Sequence, residues 1–123
     1  MKPPFLAPSP SMFCKTLLSL IFFSALFLAK TARAENEVLT KLMVSNNCMA
    51  CHQIDKSGNG PQYNEVSRKY MGDKTAVIKL AAKIKSGGSG VWGEDMMPPQ
   101  AHVSDADALT MAKLILALPP AKE

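Results

Sequence analysis

Cys48-Met49-Ala50-Cys51-His52 is the stretch from which the rest of the chain takes its meaning. Two thiols three residues apart, with an imidazole directly after the second, form the C-x-x-C-H pattern of covalent haem attachment. The spacing follows from the chemistry. On one turn of backbone both sulfurs can reach the two vinyl groups of one porphyrin edge as thioethers. The next residue then brings a ring nitrogen up to the iron. Two other readings of the same residues compete. A Cys48–Cys51 disulfide is the ordinary fate of paired cysteines in an oxidising compartment, but redox-active C-x-x-C motifs open a helix after a strand, and no strand pattern precedes this one. Zinc would find two thiolates and one adjacent imidazole, an incomplete and cramped set for a tetrahedral site.

Outward from the motif, the N-terminal flank is a targeting segment. Lys15 leads into an apolar run, Thr16 to Ala29, which closes on Ala32-Arg33-Ala34, a small-x-small cleavage pattern. The run is short for a membrane span, which needs about 20 residues. Residues 1–34 are therefore expected to be a cleaved signal peptide that carries Cys14 away, leaving residues 35–123 as one domain exported to the periplasm, with no stable membrane insertion. The formal charge of +4 belongs to the leader; residues 35–123 hold ten basic and ten acidic side chains. That balance removes the compositional case for nucleic acid binding. A domain this small buries little surface and usually needs a staple such as a metal or cofactor. One covalent haem would be both staple and core.

Along the domain, Val38, Leu39, Leu42 and Met43 make one face of a helix from about Asn36 to Asn46, with Asn46-Asn47 as its stop. Asp55 to Pro61 is a loop of turn formers. The Pro61 carbonyl is free to accept from the second nitrogen of a ligating histidine and so fix its ring. A short helix is expected over Tyr63 to Met71, closed by Gly72. Asp73 caps the next, Lys74 to Ser86, whose apolar stripe is Ala76, Val77, Leu80, Ala81 and Ile84. A mobile stretch follows, Gly87 to Gln100. Ser104 with Asp107 reads as a capping box for a last helix to Leu118, with Ala108, Met111, Ala112, Ile115 and Leu118 inward and Pro119-Pro120 as terminator. The fold class is all-α, about four helices wrapped around one covalently attached haem.

The second face of the iron decides function. Met96 and Met97 are the thioether candidates, and both are chemically competent. A His/Met pair raises the reduction potential and closes the iron to small molecules, leaving electron transfer. An open iron would instead suit a peroxidase or gas sensor, which needs a distal acid–base group; His102, in a polar turn, is the only other histidine.

The chain resembles the small periplasmic monohaem class I cytochromes c of bacteria. The resemblance rests on Cys48-Met49-Ala50-Cys51-His52, Gly60-Pro61 with Tyr63, Gly87-Gly88-Ser89-Gly90-Val91-Trp92-Gly93, Met97-Pro98-Pro99 and Ser104-Asp105. It implies thioethers at Cys48 and Cys51, His52 and Met97 as axial ligands, a Pro61 carbonyl bonded to His52, and a Trp92 indole bonded to a haem propionate. It further implies an electron carrier rather than an enzyme, serving redox partners such as a cytochrome complex and a terminal oxidase or nitrite reductase, as a monomer. Glu94-Asp95-Met96 and Gln100 depart from the family's usual prolines and Asn. From Arg68 to Lys85 six basic residues face one acid. That segment is either a solvated helix face or a surface that steers an acidic partner, and Lys83 or Arg68 could hold a propionate.

Overall fold

The computed structural model describes residues 33–121. The leader expectation, with Cys14, lies almost wholly outside them. Residues 33–45 are helical (α1). A 3₁₀ turn over Cys48–Ala50 is followed by α2 (Tyr63–Lys69), α3 (Ala76–Ser86) and α4 (Asp105–Ala117). The all-α expectation holds among the described residues, where the single β feature is an isolated Gly88–Met97 bridge.

The last helix organises the core. Ala108, Met111, Ala112 and Ile115 recur at helical spacing and are all buried. Both α2 and α3 pack against α4. Leu39 and Met43 of α1 join the same apolar cluster, with Val66, Leu80, Ala81 and Val103. At the start of α4, the Ser104 hydroxyl accepts from Asp107 N–H at 3.0 Å and donates to the Asp107 carboxylate at 2.8 Å. That carboxylate binds the hydroxyl, a variant of the expected box. At the other end Leu118 is extended, as a residue before proline must be.

Prolines 119 and 120 stop the helix but leave its last carbonyls without N–H donors. Ser67, a buried polar residue of α2, fills that gap. Its hydroxyl lies 2.8 Å from Leu118 O and 3.3 Å from Leu116 O.

Several boundaries differ from the sequence reading. Of the Asn46-Asn47 pair expected to stop α1, Asn47 takes the left-handed conformation (φ 58°). Val38 is exposed, because Leu39 and Met43, four apart, set the buried line. The second helix ends at Lys69, two residues early: Tyr70 N–H still reaches Val66 O, but Met71 N–H turns to Arg68 O at 3.3 Å and Gly72 then takes φ 83°. The third begins at Ala76: Asp73 Oδ1 accepts from Thr75 N–H and Oγ1, so 73–75 form a tight turn before the α-pattern starts. The segment expected to be mobile, 87–100, is irregular yet tethered. Gly88 N–H donates to Met97 O at 2.9 Å and Met97 N–H to Gly88 O at 3.1 Å, while Gln100 N–H reaches Lys85 O.

Candidate haem site

The 3₁₀ turn places the motif. Asn47 turns the chain out of α1, and both Cys51 N–H and His52 N–H then donate to Cys48 O, at 3.2 and 3.0 Å. One turn of backbone thus carries both sulfurs and the imidazole. Both thiols are free, Cys48 half-buried and Cys51 exposed. Burial pushes the Cys48 thiol above its ordinary pKa.

His52 is held on three sides. Its Nδ1 stands 2.9 Å from Pro61 O. A carbonyl can only accept, so Nδ1 carries the proton and Nε2 keeps its lone pair for a metal. Tyr63 stacks on the imidazole with ring centroids 5.2 Å apart and planes 11° from parallel. Burial, and the nearby cysteines secondarily, hold the Tyr63 phenol above its usual range, so it stays a neutral ring. On a further side lies Gly60: a Cβ there would stand 2.7 Å from His52 Nδ1 and 2.9 Å from Nε2. Only a residue without a side chain fits. Its own N–H donates to Cys51 O at 2.9 Å, which ties the 55–61 loop to the motif.

Met97 is half-buried, its backbone clamped to Gly88 in both directions, whereas Met96 is 74% exposed. Gly87 makes the clamp possible, since a Cβ there would lie 2.8 Å from Pro98 C and Pro99 N. The Gln100 side-chain amide donates to Pro98 O at 2.9 Å, bracing the same turn. Trp92 is 40% exposed, with Lys69 Nζ 5.1 Å from its ring centre. Lys83 Nζ closes on the backbone of Gly88, where a Cβ would meet it at 2.8 Å. His102 is exposed.

The basic segment is less free than its sequence suggests. Lys79 pairs with Asp73 at 2.8 Å and Lys85 with Asp105 at 2.7 Å. Asp73, held also by Thr75, is lowered to a pKa of about 2.

Free thiols on one turn, a single imidazole tautomer and a glycine seat beside the ring all fit a haem. No cluster of three or more His, Cys, Asp or Glu side chains suited to a metal ion occurs among the described residues. The roles of Gly60 as a seat for the imidazole and of Tyr63 as its stacking partner, and the Lys69–Trp92 pair, add to what the sequence picked out. Gly60-Pro61 ahead of an aromatic residue carried a signal for the first two; nothing local marks the third.

Comparison with known proteins agrees. The cytochrome c family model matches residues 40–119. Cytochrome c-552 of Nitrosomonas europaea is 45% identical over 95 residues, spanning 77% of this chain and 88% of that protein. Cytochrome c-552 of Hydrogenobacter thermophilus is 51% identical over 83 residues, 68% of this chain and 81% of that one. The crystal structure of the wild-type Nitrosomonas europaea cytochrome c552 aligns with a TM-score of 0.63 at 47% identity, covering 64% of this chain and 98% of that chain. The chain belongs to the cytochrome c family: it is an electron carrier built to hold covalently bound haem c, not an enzyme.

Proposed function

We propose that residues 1–34 export the chain to the periplasm and are removed, and that residues 35–123 carry one electron at a time between respiratory partners such as a cytochrome complex and a terminal oxidase or nitrite reductase. When bound, haem c supplies an iron that alternates between ferric and ferrous. The protein's part is to hold it. Cys48 and Cys51 would form the thioethers, His52 Nε2 and the Met97 sulfur would hold the iron, and the Trp92 indole N–H would bond a propionate. The observation that carries this reading is the 2.9 Å contact of His52 Nδ1 with Pro61 O, which leaves Nε2 as the ring's only free donor atom. For Met97 over Met96, the support is burial and the two-way backbone clamp; an exposed Met96 has nothing to hold it near a metal. No helix among the described residues is long and apolar enough to cross a membrane.

A redox partner with an acidic surface would meet the exposed Arg68, Lys69 and Lys74, which the Asp73 and Asp105 ion pairs leave available. Charge of this kind raises the encounter rate more than the affinity.

The test is optical. The oxidised holoprotein is expected to show a sulfur-to-iron charge-transfer band, and the reduced form to bind no carbon monoxide. Met97→Ala removes the band, opens the iron and lowers the potential; Met96→Ala does none of these. Loss of the band in Met96→Ala alone would move the ligand by one residue. A secreted chain with the mass of its amino acids alone would end the haem assignment.

A further inference from the structure

Trp92 sits at the tip of a hairpin-like loop that the Gly88–Met97 bridge closes and a Gly90 N–H to Gly93 O bond of 2.9 Å tightens. Gly90 and Gly93 flank the ring at φ 89° and 110°, and neither has anything within 4 Å of where a Cβ would be. Neither glycine therefore adds a packing contact that would hold the ring. Glycines in these conformations leave the backbone the most freedom to re-orient, so the loop's own bonds fix where Trp92 is more firmly than which way its indole faces.

From elsewhere in the fold the Lys69 ammonium reaches over the ring, 5.1 Å from its centre. Lys69 closes α2, whose first residue, Tyr63, is stacked on His52, so it is anchored to the body. Among the described residues it has no acidic partner within ion-pair distance, and its position in the last turn of a helix suits its charge. A cation over an indole face is attracted by the ring's quadrupole, and the attraction depends on where the ring points.

We propose that Lys69 is a positioning residue for Trp92: its ammonium pins the indole plane and so holds the N–H in one direction. The consequence for the iron rests on the Trp92–propionate reading above. With the N–H fixed, the propionate's charge is neutralised by the same amount in every molecule. Without Lys69 the bond is made part of the time and the ferric state gains.

The experiment uses the holoprotein with Lys69→Arg and Lys69→Met, each in the Trp92 and the Trp92→Phe backgrounds. Methionine keeps the apolar stem and loses the charge; arginine keeps both charge and ring contact. Exchange of the Trp92 indole hydrogen, followed by NMR, is expected to quicken about two- to fivefold in Lys69→Met, the range for an exposed cation–π contact. In Lys69→Arg it stays at the parent rate. The ferrous-to-ferric ratio at fixed applied potential falls about twofold in Lys69→Met, roughly 18 mV at 59 mV per tenfold. That fall vanishes in the Trp92→Phe background, which has no N–H to position. Unchanged indole exchange in Lys69→Met, or exchange in Lys69→Arg as fast as in Lys69→Met, overturns the proposal. An equal fall in both backgrounds also overturns it, since Lys69 would then act as a bare charge. If Trp92→Phe alone leaves the potential unmoved, the propionate reading fails, while the exchange result still decides the clamp.

Discussion

Gly60→Ala isolates the fit between the 55–61 loop and His52. The backbone at residue 60 tolerates alanine, because its φ lies outside the positive range that resists L side chains. The whole effect is therefore steric. A Cβ would arrive 2.7 Å from His52 Nδ1, against 3.4 Å where ordinary van der Waals contact begins. The ring or the loop must give way by at least about 0.7 Å, since Cε1 lies nearer still, and that forces side chains off their rotamers. Moving the ring takes Nδ1 away from Pro61 O, now at 2.9 Å, and separates it from Tyr63. Moving the loop strains the Gly60 N–H to Cys51 O bond. Overpacking costs roughly 1–3 kcal/mol and a lost hydrogen bond about 1 kcal/mol, so we expect about 2–4 kcal/mol in denaturant unfolding of the holoprotein, seen as a lower midpoint at unchanged slope. The His52 ring resonances and the reduction potential should shift with it. Stability within 0.5 kcal/mol of the parent, with the ring resonances in place, would show that the glycine seat does not constrain the imidazole.

Other outcomes follow from contacts elsewhere. Ser67→Ala leaves the Leu116 and Leu118 carbonyls without their donor in a buried setting, and unfolding experiments should show a loss of about 1–3 kcal/mol. Because Asp73 titrates at about 2 in the folded protein and near 3.9 when unfolded, its stabilising contribution is complete above about pH 4 and fades as pH falls towards 2. Asp73→Asn should flatten the stability profile in that window and leave the neutral-to-basic limb unchanged. Replacing Arg68 and Lys74 with Glu should slow electron exchange with the natural partner at low salt and lose the effect at high salt; rates unchanged at low salt would return that face to solvent.

How much of this could be read from the chain depended on how far apart the interacting groups lie. α4 was fully legible, since Ala108, Met111, Ala112 and Ile115 repeat at helical spacing between a Ser104 cap and a proline stop, all local signals. The haem motif was legible because its chemistry demands consecutive residues. The stripe of α1 was legible at Leu39, Leu42 and Met43 and failed only at Val38, because Val38 and Leu39 are equally apolar and only packing decides between them. Prolines 119 and 120 announced that carbonyls would go unpaired, but the donor, Ser67, is 51 residues from Leu118. Met97 and Met96 are chemically alike; what separates them is the register of the Gly88 bridge, which no single-residue property encodes. The Lys69–Trp92 pair likewise joins a helix end to a loop tip with no pattern linking them.

The seven residues of α2 act as a crossbar. Tyr63 at one end backs His52, Ser67 in the middle is bolted to the end of α4, and Lys69 at the other end rests on Trp92. A rod this short has no room to bend, so it moves as a piece or not at all. Fluctuations that loosen the histidine side should therefore loosen the tryptophan loop in the same event, and amide exchange in the two regions should report one shared opening rather than two independent ones.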